Sequence, residues 1–90
     1  MRLILYSKPG CHLCEGLQEK LEQIQNLSFE LEIRDITTRE DWFGTYQYEV
    51  PVLFLANRRG AEGAEELLPR PSPRASVQQL EGMLRKYLAI

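Results

Sequence analysis

The order of apolar and polar positions predicts a strand, a helix and a second strand in the first third of the chain. Residues 2–6 are mostly apolar and stop at a Pro-Gly pair, which is typical of a short buried strand. Steps of four, four and three residues then place one apolar stripe on a helix that ends near Asn26: Leu13, Leu17, Leu21 and Ile24. Residues 28–34 alternate apolar and charged side chains, which is the period of a strand with one apolar face: Phe29, Leu31 and Ile33.

The middle of the chain predicts a short helix and a hairpin. Asp35 ends the second strand, and Thr37 or Thr38 is expected to cap a helix that continues through Phe43. Residues 45–49 fit either the end of that helix or a loop. Residues 51–55 are a central apolar strand with Pro51 at its first position, where a strand tolerates proline. After a polar turn at 57–60, residues 65–68 are expected to return beside it, with a loop around the glycines at 60 and 63.

A proline-rich connector and a helix complete the chain. The prolines at 69, 71 and 73 fix the backbone and exclude a helix or a central strand. The helix that follows carries the stripe Val77, Leu80, Met83, Leu84, Tyr87 and Leu88. Ser76 with Gln79 fits a capping box at its start, and Ser72 with Pro73 is the alternative start.

These elements predict one α/β domain over residues 1–90. The order β-α-β-α-β-β-α starts with two parallel strands joined by a right-handed crossover and ends with an antiparallel hairpin. The expected architecture is a mixed four-stranded sheet with helices on both faces.

Composition and charge reduce the number of function classes that the chain can belong to. The 90 residues are 43% hydrophobic and 27% charged, as in a soluble globular domain. A formal net charge of −2 gives no basic face for nucleic acid or for an anionic membrane surface. No apolar run approaches a membrane span, and the first one is too short for a signal peptide, so we expect a cytoplasmic protein. Structural disulfides are rare there, so the two cysteines indicate redox chemistry or a metal.

The candidate chemistry lies in the segment that joins the first strand to the first helix. Cys11 falls at the helix start, where unpaired N–H groups and the helix dipole stabilise a thiolate and lower the pKa of the thiol. Lys8 adds a positive charge nearby. Cys14 follows one turn later, within reach of Cys11. This arrangement suits disulfide exchange, in which Cys11 attacks a substrate disulfide and Cys14 resolves the mixed disulfide.

Other interpretations of the cysteine pair remain open. A structural zinc site within one chain needs four ligands, and the sequence offers two cysteines and the single histidine, so no metal site is expected. Two inert core cysteines, or a metal shared between subunits, are further alternatives. His12 either tunes the Cys11 thiolate through its charge or is a solvated first-turn residue. The Val50–Pro51 bond is trans by base rates alone, although a cis bond is possible.

The chain resembles the glutaredoxin branch of the thioredoxin superfamily, and within it the short bacterial glutaredoxin-like proteins of unassigned function. The residues that carry the resemblance are the first strand, the segment 7–14 and the later segment 50–53. The resemblance implies a thioredoxin-like fold, with Cys11 as nucleophile and Cys14 as resolving thiol. It also implies that Pro51 is a cis-proline beside the thiols, that the Val50 backbone pairs with an extended substrate, and that Lys8 lies near a glutathione carboxylate.

Two departures from that branch concern glutathione. The dipeptide between the cysteines is His12-Leu13 where glutaredoxins usually carry Pro-Tyr or a relative. The Gly-Gly-Asp signature that receives the other end of glutathione is missing, and residues 68–74 take its place. Within that segment Arg70 or Arg74 is a substitute anion contact, or simply a solvated side chain.

The leading hypothesis is therefore a monomeric thiol-disulfide oxidoreductase without a bound cofactor. Its expected partner is a disulfide-containing protein, or glutathione as a co-substrate. One alternative is a non-catalytic binding or redox-sensing module, with an aromatic cluster as recognition surface or, more ordinarily, as core and groove wall: Trp42, Phe43, Tyr46 and Tyr48. A dimeric carrier of an iron–sulfur cluster or metal is another, in which each chain contributes Cys11.

Overall fold

In the described part of the chain, four strands and three α-helices follow one another in the predicted order. The computed structural model describes residues 2–56 and 65–88. The strands are β1 Arg2–Ser7, β2 Glu30–Asp35, β3 Val52–Ala56 and β4 Glu65–Leu67. The α-helices are α1 His12–Gln23, α2 Glu40–Tyr46 and α3 Val77–Leu88, and a single 3₁₀ turn, Ile36–Thr38, separates β2 from α2.

The strands form one mixed sheet in the order β2-β1-β3-β4. β1 runs parallel to β2, with Arg2 opposite Glu30, and antiparallel to β3. β4 lies antiparallel to β3, with Leu67 opposite Phe54, which confirms the predicted hairpin. The predicted turn at 57–60 and the loop around the glycines at 60 and 63 lie outside the described residues. β1 is continuously apolar because it is a central strand, covered on both faces.

Helices cover both faces of the sheet, as predicted. On one face α1 and α3 pack against β1 and β3 in a buried core: Leu3, Leu5, Leu21, Ile24, Leu53, Leu55, Leu68, Leu80 and Leu84. On the other face α2 packs its Trp42 and Tyr46 against Ile4 and Tyr6 of β1. The Trp42 ring also lies 4.8 Å from the guanidinium carbon of Arg39, a cation–π contact that helps to hold this short helix.

The start of α3 settles a choice that the sequence left open. Ser76 Oγ accepts a hydrogen bond from the backbone N–H of Gln79 at 3.1 Å, and Gln79 Oε1 accepts one from the Ser76 N–H at 2.9 Å. This reciprocal pair is a capping box, so the alternative start at Ser72 and Pro73 is wrong. The connector at 69–73 therefore stays outside the helix.

Two local predictions are wrong. Neither Thr37 nor Thr38 caps α2. Instead, Asp35 Oδ1 accepts from the N–H and the hydroxyl of Thr37 and caps the 3₁₀ turn, because a carboxylate at that position reaches both donors. Leu13 is not part of the buried stripe of α1. Its side chain is 55% exposed, because it faces a surface groove formed with Pro51 and the connector at 69–73, and Cys14 is the buried residue of that turn.

Across the described residues no helix is long and apolar enough to cross a membrane.

Candidate functional site

A tight turn carries the chain from β1 into α1. The backbone N–H of Cys11 donates to the carbonyl of Lys8 at 3.3 Å, with Pro9 and Gly10 between them. Gly10 has a φ of 78°, which the third position of a type II turn requires and which glycine adopts without strain. Pro9 supplies the fixed φ of the second position. The sequence Pro9-Gly10 therefore determines how the cysteine segment enters the helix.

The two cysteines lie at the start of α1 in different surroundings. Cys11 is the N-cap residue, with extended backbone, and its Sγ accepts a hydrogen bond from the Cys14 N–H at 3.2 Å. The Cα atoms are 5.2 Å apart and the two sulfurs form a disulfide. Cys14 is buried at 1% exposure, whereas Cys11 is partly exposed. Cys11 is therefore the more accessible half of the disulfide.

The Val50–Pro51 peptide bond is cis, as the resemblance implies. The segment before it is held by α2, since the N–H groups of Glu49 and Val50 both donate to the Tyr46 carbonyl at 2.9 and 3.1 Å. The Val50 N–H is therefore already paired within the chain. Within residues 2–56 and 65–88 the Val50 carbonyl accepts no hydrogen bond from another backbone N–H.

A groove of about 480 Å³ connects the cysteine segment with Pro51 and the proline-rich connector. Pro51, which is buried, is one of its lining residues. Most of the side chains that line it are apolar or small: Leu13, Gly16, Leu17, Pro51, Pro71, Pro73, Ala75 and Leu80. Three other lining residues, His12, Lys20 and Arg70, carry titratable or cationic groups. The groove has the size of a ligand pocket and lies beside the residues between the two cysteines.

The connector that forms one wall of this groove is fastened at both ends. Lys20 Nζ donates to the Pro73 carbonyl at 2.9 Å and joins the connector to α1. Arg70 Nη2 donates to the Glu49 carbonyl and lies 3.8 Å from the Glu49 carboxylate, which joins the connector to the segment before Pro51. The wall is therefore tied to both the helix and the proline loop.

The structure places Lys8 and His12 differently from each other. Lys8 Nζ donates to the Gln47 carbonyl at 3.2 Å, just beyond the C-terminus of α2, where a cation is favourable. The His12 side chain is 96% exposed and its Nδ1 lies 3.7 Å from Glu15 Oε1. In the described part of the chain, no group of three His, Cys, Asp or Glu residues could hold a metal ion.

The aromatic cluster of the sequence divides between two environments. Trp42 and Tyr46 pack on the Tyr6 ring, with centroids 5.6 and 4.4 Å apart. Burial raises the pKa of Tyr46, the negative charges of Tyr6 and Glu65 raise it further, and Arg34 partly offsets this. Two other members, Phe43 at 41% and Tyr48 at 89% exposure, face solvent.

Sequence reasoning missed three groove residues. Nothing in the sequence links Lys20 to Pro73, 53 positions later. The apolar period places Leu13 in the core, although its position between the two cysteines also favours a place in the site. The sequence predicts Pro71 only as part of a rigid connector, because its role as a wall depends on the return of the chain over α1.

The chain is similar to known proteins over nearly its whole length. Residues 2–85 match the sequence profile of the Glutaredoxin-like domain (DUF836). A structural-genomics target protein from X. campestris is 27% identical, with 93% of this chain and 96% of that chain covered and a TM-score of 0.57. No curated protein matches the chain.

Two further solved structures show the fold alone, since both are less than 25% identical. Thioredoxin 1 from the thermophilic eubacterium Thermosipho africanus TCF52B is 16% identical, with 98% of this chain and 94% of that chain covered and a TM-score of 0.63. A malarial protein is 15% identical, with 98% and 97% covered and a TM-score of 0.64. The sheet and its helices therefore have the thioredoxin-like fold.

Proposed function

The chain belongs to the glutaredoxin-like domain family, and from this we propose that it is a thiol-disulfide oxidoreductase that acts through Cys11 and Cys14. The observation that carries the proposal is the asymmetry of the pair. Cys11 is the partly exposed N-cap of α1, whereas Cys14 is buried one turn later and its N–H donates to the Cys11 sulfur. A nucleophile must reach its substrate, and a resolving thiol must reach only the nucleophile.

The reaction starts from the reduced pair. The Cys11 thiolate attacks one sulfur of a substrate disulfide, forms a new S–S bond with it, and releases the other substrate sulfur as a thiolate that takes up a proton. Cys14 then loses its proton and attacks the Cys11 sulfur. This step releases the second substrate thiolate and forms the Cys11–Cys14 disulfide. The substrate gains two electrons. Two glutathione molecules, or one protein dithiol, of the reducing cytoplasm then return two electrons to the pair and are themselves oxidised to a disulfide.

The proposed roles of the neighbouring residues follow from their contacts. The Cys14 N–H and the start of α1 stabilise the Cys11 thiolate, both as attacking group and as leaving group. The Val50 carbonyl and the Pro51 ring guide an extended substrate past the cysteines. Lys8 contributes a positive charge from its place at the end of α2. His12 contributes little, because its side chain is almost wholly solvated.

A polypeptide disulfide fits this site better than glutathione does. The connector 68–74 replaces the Gly-Gly-Asp signature, and it presents prolines and apolar surface to the groove. Glutathione as a co-substrate remains part of the proposal only as the reductant of the pair.

Trapping of the mixed disulfide tests the function. Reduced Cys14→Ser protein is mixed with a short peptide disulfide and analysed by mass spectrometry without reductant. We expect a one-to-one adduct at Cys11, because the resolving thiol is gone. Cys11→Ser is the matched control, with the same change of atoms one turn away, and should form no adduct. If neither variant forms an adduct, the chain is a non-catalytic module. An equal yield with both variants would contradict the assigned roles.

A further inference from the structure

The groove beside the cysteines combines an apolar lining with positive charge and no negative charge. Lys20 and Arg70 line it together with apolar side chains, and among its lining residues in the described chain none is acidic. This local excess occurs in a chain whose formal net charge is −2. A positively charged groove on a protein of net negative charge attracts anionic ligands more strongly than the rest of the surface does.

Lys20 is the cation with uncompensated charge. Its ammonium donates to a neutral carbonyl, that of Pro73, and no carboxylate of the described residues lies within ion-pair distance of it. Two of its N–H donors remain for a ligand. Arg70 differs, because it is already engaged by the carbonyl of Glu49 and is near that carboxylate. Lys20 is therefore the side chain that can recognise an anion.

The apolar lining indicates that the ligand also carries an apolar group. Leu13 is 55% exposed in a chain whose core leucines are buried, and it faces the same groove as Pro51 and Pro71. Burial of an apolar substrate side chain in the groove removes apolar surface of both molecules from water, which favours binding. The groove starts at the residues between the cysteines, so its occupant is the part of the substrate next to the attacked disulfide.

We propose that this groove selects polypeptide disulfides that carry an apolar side chain and a carboxylate close to the reacting cysteine, with Lys20 as the specificity-determining cation. The inference rests on the proposed oxidoreductase function and adds the substrate class. Arg70 is a positioning residue, which holds the Glu49 carbonyl ahead of Pro51.

The test compares peptides that differ by one charge. Each capped peptide carries a central cysteine as its 2-pyridyl disulfide, a leucine beside it, and Glu, Gln or Lys two positions away. Thiopyridone release is followed in single turnover with pre-reduced protein, so no reductase is needed. Each rate is divided by the rate of the same peptide with free dithiothreitol, which removes the intrinsic effect of the peptide charge on the disulfide.

We expect the wild-type protein to prefer the Glu peptide over the Lys peptide by about tenfold at low salt, the effect of one attraction replaced by one repulsion near the surface. Replacement of the leucine by serine should slow the Glu peptide several-fold, and glutathione disulfide should react more slowly than the Glu peptide. High salt should reduce the charge preference.

Two lysine variants assign the preference to one residue. Lys20→Glu should abolish or reverse the preference for the Glu peptide over the Lys peptide, while Lys20→Arg should retain this preference. Lys86→Glu is the matched control. Lys86 lies outside the groove lining, in the last turn of α3, which has 12 residues like α1. Its replacement by Glu therefore changes the net charge and the charge at the helix C-terminus in the same way as Lys20→Glu does. A Glu-to-Lys ratio of one in the wild type, or an equal change in both charge-reversed variants, would overturn the inference.

The outcomes separate this inference from the function it rests on. If all peptides react at the same normalised rate, the oxidoreductase function stands and the proposed selectivity is wrong. If no peptide reacts faster than with dithiothreitol, the function is contradicted. In that case NMR titration with peptides that carry serine in place of cysteine tests binding in the groove independently of any redox reaction. Shifts at Lys20 and Leu13 with the Glu peptide only would support it, and no preference would refute it.

Discussion

Removal of the Ser76 hydroxyl should destabilise the protein by loss of the cap on α3. In Ser76→Ala the Gln79 N–H loses its acceptor at 3.1 Å, and the Gln79 side chain loses the geometry that satisfies the Ser76 N–H. Loss of an N-cap side chain costs about 1 kcal/mol. For a chain of 90 residues this lowers the melting temperature by roughly 4–8 °C.

Urea denaturation followed by circular dichroism measures this loss. We expect a lower midpoint with an unchanged slope, because the surface exposed on unfolding is the same. Ser72→Ala is the matched control: Ser72 Oγ accepts from the Arg74 N–H at 3.2 Å in the exposed connector and caps no helix. Its expected cost is well below that of Ser76→Ala. If Ser72→Ala destabilises the protein as much as Ser76→Ala, the assignment of the helix start is refuted.

Two further predictions concern the backbone and a partly buried tyrosine. Gly10→Ala should destabilise by about 1–2 kcal/mol, because its φ of 78° is strained for an L side chain although no atom lies within 4 Å of the new Cβ. Gly82→Ala, inside α3 with equal space, should instead stabilise by about 1 kcal/mol, and thermal melts of both variants check the opposite signs. Burial raises the pKa of Tyr46, so the unfolded chain ionises first and stability should fall as pH rises above about 10. Urea midpoints against pH should show a shallower fall in Tyr46→Phe, and an equal fall would contradict the burial of this hydroxyl.

Much of the fold follows from local sequence patterns. The apolar run of β1, the position of β2 and the Ser76-Gln79 pair each depend on neighbours within a few residues, so the sequence predicts them correctly. The predicted apolar face of β2 is wrong at Ile33, which is 39% exposed on this edge strand. Pro9 and Gly10 likewise predict the turn that leads to Cys11. This turn and the strand before it bring Cys11 to the start of α1.

The groove could not be predicted in the same way, because contacts between distant residues create it. The bond from Lys20 to Pro73 and the one from Arg70 to Glu49 join segments 53 and 21 positions apart. Leu13 fits the apolar period of α1, yet it faces the groove, because distant segments of the chain, Pro51 and the connector, pack opposite it. The local pattern therefore predicts the thiols, whereas tertiary structure determines what surrounds them.

The central claim is that Cys11 is the reactive thiolate and Cys14 its buried partner. The measurement that tests it most directly is the rate of iodoacetamide alkylation of each cysteine in the reduced protein, mapped by mass spectrometry across a range of pH. We predict that Cys11 is modified much faster than Cys14 and that its rate rises with a midpoint below the ordinary thiol value of about 8.5. Equal rates at the two cysteines, or a Cys11 midpoint at or above that value, would contradict the account.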